Sequence, residues 1–323
     1  MKTAKRILTV ALALMLIFAL AAPSFAMVSA NQPTNSGDSY YEQTTLSDYY
    51  VNGQITVHLH VTTFKYPAAG PIDQVYDVTV GTAGATNQLI TVKDVLEKAD
   101  LDNSNLSFTI QTAYNARYAT YDSTLTGVQD SQVAPSTWFD GAILYKGSTP
   151  YACGYMFRIN GMIPYFTHTD IYNVTTTEGC KINDAYVTAN DTIDFYYTNV
   201  YTQALATRVR YVRLVSSTYD PVSNKYSATF QLLEAQCYKP SNQLDWVLTQ
   251  WTPITGTQVR IYIDGSNTKI TTDAQGMFTR TNLAAGSHSF KFKLQTDTYT
   301  TTSNGSIEYE VPYLVGMYSV YSF

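Results

Sequence analysis

The chain has 323 residues, only 14% of them charged, with 20 lysines and arginines against 25 aspartates and glutamates for a net charge of −5. So sparse and acidic a charge argues against nucleic acid or an anionic membrane surface as partner, both of which need clustered basic residues. Tyrosine, at 28 residues, dominates the aromatics, which suits half-buried sheet faces in extracellular β proteins.

Lys2, Lys5 and Arg6 precede an apolar run from Ile7 to Ala22, which ends in APSFA with small Ser24 and Ala26 around Phe25. A basic start, a short apolar centre and a small-x-small exit predict a secretory signal peptide over residues 1–26. Its removal leaves 17 basic against 25 acidic residues, a net −8. No second long apolar run follows, so no membrane span is expected after signal removal and the expected location is secreted or cell surface. The remaining length, a little under 300 residues, suggests two domains.

Residues 27–48 are polar and without apolar period, which predicts a flexible leader. Strand character begins in ITVHLHV, where Ile55, Val57, Leu59 and Val61 alternate with Thr56, His58 and His60. That period predicts one apolar face and one solvent face, with both histidines on the solvent side. His58 and His60 are spaced as metal ligands can be, but no third ligand stands near them in sequence, and no metal or other cofactor is expected.

VYDVTVG predicts a second strand. A helix follows: Thr91 can cap it, Asp94 sits three residues on, and Val92, Val95, Leu96 and Ala99 repeat at helical spacing to an end near Leu101. Asp100, Asp102 and Ser104 alternate as in a calcium loop, but the required glycine and distal glutamate are missing, so DLDNSN reads as a helix-terminating turn. LSFTI (106–110) resumes strand. From Tyr114 to Asp140 the chain lacks regular period and ends on Trp138 and Phe139, reading as a long connection: either a functional rim or a surface insertion.

In CGYMFRINGMIPYF, Asn160-Gly161 stands between two alternating runs, the strongest short hairpin signal, because both turn positions need positive φ. Pairing Ile159 with Met162 places Tyr155, Phe157, Ile159, Met162, Pro164 and Phe166 on one face and Met156, Arg158, Ile163 and Tyr165 on the other. Pro164 cannot donate to a ladder, so the second strand is expected at an edge or leaving the sheet early. Large groups on both faces mean a hairpin sandwiched in core or one that covers a ligand. AYVTANDTIDFYYTN predicts two more strands joined at Ala189-Asn190-Asp191.

A composition break at Tyr201–Thr207 marks the expected domain boundary. Beyond it, short alternating strands without helix (RVRYVRLVSS, YSATFQLLEAQ, QVRIYIDG, TKITTDAQGMFTRTNL, HSFKFKLQT, VPYLVGMYSVYSF) have the spacing of a β-sandwich. Three cysteines cannot all pair. A Cys153–Cys180 disulfide leaving Cys237 over, or three thiols acting as small core residues, are both open. No nucleophile elbow, phosphate loop or dinucleotide fingerprint is present.

Residues 49–200 resemble the transcobalamin C-terminal-like family, a small β-grasp module of secreted bacterial proteins. The likeness lies in the succession of an opening strand (55–61), TVKDVLEKADL, GYMFRINGMIPY and VTANDTIDFYY. Tyr155 stands where that family usually has tryptophan, and Asn190 replaces its turn glycine. Residues 201–323 resemble immunoglobulin-like and carboxypeptidase-regulatory-like repeats through Asp273, Gly276, Phe278, Leu283 and Gly286.

The expected fold is therefore mainly β: an α+β β-grasp-like domain with one helix, followed by an all-β immunoglobulin-like sandwich. The expected function is a non-enzymatic binding protein with an unidentified extracellular ligand or a protein or glycan partner. Trp138, Phe139, Tyr155, Phe157, Asn160, Gly161, Met162 and Tyr165 are its candidate contacts. The alternatives are a self-assembling or adhesive surface subunit, with edge strands such as Val311–Phe323 pairing between copies, and, as the resemblance implies, cobalamin or another tetrapyrrole as ligand. An extracellular hydrolase is the remaining option.

Overall fold

The computed structural model describes residues 40–43, 45–63, 72–116, 119–130, 134–139, 142–199, 207–238, 247–248, 251–256, 258–300, 303–305 and 308–323. The expected signal peptide, most of the expected leader and the 201–206 boundary lie outside them.

The chain is mainly β, with one α-helix among the described residues. The first segment runs β1 (Tyr40–Glu42), a 3₁₀ turn (Leu46–Tyr49), β2 (Ile55–Thr62), β3 (Asp73–Val80), β4 (Ile90–Thr91) and α1 (Val92–Asp102). It continues with β5 (Leu106–Asn115), β6 (Thr120–Asp130), β7 (Ala134–Phe139), β8 (Ala142–Lys146) and β9 (Thr149–Ile159). Then come β10 (Ile163–Thr169), β11 (Thr175–Gly179), β12 (Tyr186–Val187) and β13 (Thr192–Asn199). The second segment opens with β14 (Thr207–Asp220), β15 (Lys225–Tyr238), β16 (Val247–Leu248), β17 (Thr252–Pro253), β18 (Gln258–Ile263) and β19 (Ser266–Thr271). It ends with β20 (Met277–Leu283), β21 (Ser287–Phe292), β22 (Gln295–Thr300), β23 (Glu308–Gly316) and β24 (Tyr318–Ser322).

The helix starts where expected. Thr91 Oγ1 accepts from the Asp94 N–H, and Asp94 Oδ2 accepts from the Thr91 N–H at 2.8 Å, a complete capping box. Such a cap stabilises a helix by about 1 kcal/mol. Val92, Val95, Leu96 and Ala99 bury one stripe, and Asn103 closes the other end, so Asp100–Asp102 is the last helical turn and the terminating turn follows it.

Two expectations about irregular chain are corrected. Tyr40–Glu42 lies parallel to β10, and the buried Gln43 exchanges two hydrogen bonds with the Tyr186 backbone, each 2.8 Å. A polar composition concealed this docking because the partner is backbone rather than apolar surface. The connection after Tyr114 holds two strands, β6 and β7, in an antiparallel three-stranded sheet with β5. A register shift at Thr109/Ile110 breaks the alternation that would have revealed it.

The largest sheet has the order β16-β15-β14-β23-β22-β8-β9-β13-β2-β3 and crosses from one segment into the other, with β17 and β20 also pairing to β15. Within the first segment β2 and β3 form a hairpin, β13 is parallel to β2, and β9 is antiparallel to β13. One face carries Val57, Leu59, Ile193, Phe195 and Ile159 into a core shared with α1. In the second segment, the sheet β19-β18-β21-β24 faces β14, β15 and β20 across a core of Phe230, Phe278, Phe290, Phe292, Tyr321 and Phe323.

The other face of β9 and β13 is covered by the second segment: Ile163 and Tyr196 pack with Val209, Tyr211, Trp251 and Met317. Strand β23 pairs on both sides, with β14 and β22. Its part of the expected Val311–Phe323 assembly edge is therefore interior to a sheet, and Tyr321 and Phe323 are core.

Candidate functional site

The Asn160-Gly161 turn forms as expected, with φ of 53° and 81° and the Ile159–Met162 bridge. Past the bridge β10 leaves for a different sheet, beside β1 and β11. Of the expected contact residues, Asn160, Gly161 and Met162 are buried. Asn160 Nδ2 donates to Asp191 Oδ1 at 2.7 Å, and Asn160 Oδ1 accepts from the Thr192 N–H at 2.9 Å. Gly161 lies against the Tyr211 ring, and Met162 is buried.

Tyr155 and Phe157 are half-buried against Tyr197 and Phe195, with ring centroids 5.1 and 5.3 Å apart. Tyr165 is half-buried and pairs with Glu42 and Gly179. Trp138 and Phe139 pair with Val128 and Gly127 in the ladder; their side chains lie outside those described. The hairpin joins the two segments by apolar burial, and among the described side chains Tyr155, Phe157 and Tyr165 are only half-buried.

Cys180 is a buried free thiol with its sulfur 4.0 Å from Gln43 Oε1. Burial, with Asp184 nearby, pushes it up to about 12, so it stays a neutral, poorly nucleophilic thiol. The bridge to Cys153 is not formed at this residue; the side chains of Cys153 and Cys237 lie outside those described.

A different set of residues converges where the segments meet. His60 is only 1% exposed, not on a solvent face as its alternation suggested. Strand β24 covers that face, and the Tyr318 ring lies 6.0 Å from the imidazole. His60 Nδ1 is 2.7 Å from Asp194 Oδ1 and Nε2 is 2.9 Å from Asp73 Oδ1. Burial alone opposes the charged ring, but the hydrogen bonds to Asp194 and Asp73 outweigh it and raise the His60 pKa.

Burial likewise opposes ionisation of Asp73, yet His60 and Lys291 together lower its pKa. With a carboxylate oxygen held at each ring nitrogen, His60 offers neither nitrogen to a metal or a substrate. This histidine fixes geometry.

The network reaches across the segments. Lys291 Nζ on β21 is 3.0 Å from Asp73 Oδ1 and donates to the Asp73 carbonyl at 3.3 Å. The Tyr318 N–H on β24 donates to Asp194 Oδ1 at 2.8 Å. Beside Asp194 in the β9–β13 register stands Arg158, fully buried. Its Nε donates to Tyr196 Oη at 2.8 Å, and its guanidinium lies 5.5 Å from the Tyr196 and Trp251 ring centroids.

Above this floor opens a cleft of about 570 Å³, lined on one side by Asp73, Gln74 and Val75 and on the other chiefly by Tyr262, Lys291 and Tyr318. Lys293 and Leu294 reach it from the β21–β22 connection. Among the described residues, Lys293 is exposed and has no carboxylate within ion-pair distance. The cleft's volume falls within the range of small-molecule sites.

None of these lining residues was expected from sequence. Asp194 could have been suspected, because a carboxylate inside the apolar run TIDFYY implies a buried partner. Asp73 and Lys291, 218 positions apart, carry no local signal. Comparison with family models, curated proteins and solved structures finds no match for this chain.

Proposed function

We propose that this is a secreted or cell-surface binding protein, not an enzyme, whose ligand site is the cleft between the two segments. The observation that carries the reading is the cleft's position. Its walls come from β3 on one segment and from β18, β21 and β24 on the other, and a buried ion network fixes its floor. A preorganised site of this kind binds without ordering its own framework.

Two features support the finer architectural reading. Strand order β9-β13-β2-β3, with the inner pair parallel and one helix on a face, is that expected of a β-grasp module. Two facing sheets around Phe230 and Phe290 fit an immunoglobulin-like spacer. Of the edge expected for assembly, Val311–Leu314 pairs with β22 and Leu314–Gly316 with β14, while β24 ends its own sheet among the described strands. The tetrapyrrole reading rested on the resemblance of the β-grasp module, one face of which packs here against the second segment.

The test is to purify the protein from its own secretion medium and record native mass spectra. A retained ligand or partner should be lost in Tyr262→Ala and Lys293→Glu. Retention unchanged in both variants would remove the cleft from consideration.

A further inference from the structure

We infer that the occupant of this site is an extended, acidic peptide that adds as a new strand to the outer edge of β3, an inference that rests on the cleft being the binding site. Strand β3 ends the large sheet, and no described strand pairs with its far side. Which of its backbone groups face outward follows from the register. The Thr63 N–H bonds the Ile72 carbonyl, and His58 N–H bonds the Asp191 carbonyl on the opposite side of β2. Alternation then turns residues 74, 76, 78 and 80 of β3 toward β2 and residues 73, 75, 77 and 79 outward. The Lys291 bond to the Asp73 carbonyl agrees with that assignment.

Two clefts follow this edge in order. The 570 Å³ cleft takes in residues 73–75 on the face covered by the second segment. A second, of about 340 Å³, takes in Tyr76, Asp77 and Val78 on the helix side, with Ala99, Asp102, Asn103 and Ser104. A compact ligand would use one of them. An extended chain sends successive side chains to opposite faces of a sheet, so one strand laid along β3 would fill both. Main-chain bonds to Val75, Asp77 and Thr79 would supply affinity, and the two clefts selectivity. Asp77 on the first face is held by His58, while among the described residues lining the first cleft Lys293 has no carboxylate partner, which calls for a carboxylate on the peptide beside Lys293.

The probe is a fluorescein-labelled octapeptide of alternating threonine and valine with one central aspartate, and its twin with lysine in place of the aspartate. Anisotropy should show saturable binding of the aspartate peptide and roughly tenfold weaker binding of the twin, a typical worth for one charge pair at a partly exposed site. Lys293→Glu should reverse that preference.

Val75→Pro removes an outward N–H while leaving the bonds to β2, and proline is tolerated on an edge. It should lower affinity at least about thirtyfold, with an unchanged thermal midpoint. Should that variant not fold, the Lys293→Glu reversal decides alone. Absence of saturation with the wild type at about 1 mM peptide, a folded Val75→Pro that binds normally, or a self-association that Val75→Pro abolishes would each overturn strand addition. A retained small molecule or glycan lost in Tyr262→Ala but kept in Val75→Pro would overturn it too, while leaving the cleft as the site.

Discussion

On one face of the sheet β9-β13-β2-β3, Val57, Leu59, Ile193 and Phe195 meet the helix through hydrocarbon alone. On the other, His60, Asp194, Arg158 and Tyr196 meet the second segment through charges and rings. Both faces are buried, and they differ in what removing a group would expose. Loss of an apolar side chain leaves a cavity, at about 2–5 kcal/mol for leucine to alanine. Loss of one partner in a buried ion network leaves an uncompensated charge, at about 3–5 kcal/mol. The apolar face specifies that the module folds; the polar face specifies where its neighbour sits and so shapes the cleft.

The sharpest way to break this contrast is a pair of variants on one strand. His60→Ala should cost about 3–5 kcal/mol and Leu59→Ala about 2–5 kcal/mol, read from urea unfolding at pH 6. If His60→Ala is nearly neutral, the network is not holding the segments together.

The two variants should also separate by pH. His60 has its pKa raised in the folded state above the ordinary 6.5. Its contribution is therefore complete below 6.5 and lost as pH rises through the folded value. Asp73 is depressed below the ordinary 3.8, so its contribution holds above 3.8 and is lost as pH falls through its folded value. The gap between wild type and His60→Ala should narrow on the alkaline side, while that for Leu59→Ala stays level. A gap that widens with pH would reverse the sign of the argument.

A smaller effect is expected where the hairpin meets the second segment. At Gly161, φ is 81° and an added Cβ would lie 2.9 Å from the Tyr211 ring. Gly161→Ala should cost about 1–3 kcal/mol through strain and contact, and relieving the contact with Tyr211→Ala in the same chain should make the two losses non-additive. Smaller still, Thr91→Ala should remove about 1 kcal/mol of helix capping without altering the network, measurable as a shift in thermal midpoint alone.

What could be read from sequence follows the same division. The α1 stripe, its Thr91/Asp94 box and the Asn160-Gly161 turn are local, set by propensity and backbone geometry over a few residues, and they stand where the pattern placed them. His60 was misread because period-2 alternation reports which side chains share a face, not what covers that face. The polar side was taken as solvent, yet β24, about 260 positions on by residue number, lies over it. Strands β6 and β7 were missed because a register shift and serine-threonine composition blur alternation. The cleft was not legible at all, since Asp73, Lys291 and Tyr318 are brought together only by tertiary packing.

The most direct test of the polar seam is the protonation state of His60 followed by nitrogen-15 NMR of the imidazole ring in the intact protein. With Asp194 on Nδ1 and Asp73 on Nε2, both nitrogens should carry protons and titrate together at a midpoint above 6.5. A ring found as a single neutral tautomer, titrating at or below that value, would contradict the seam and with it the fixed floor of the cleft.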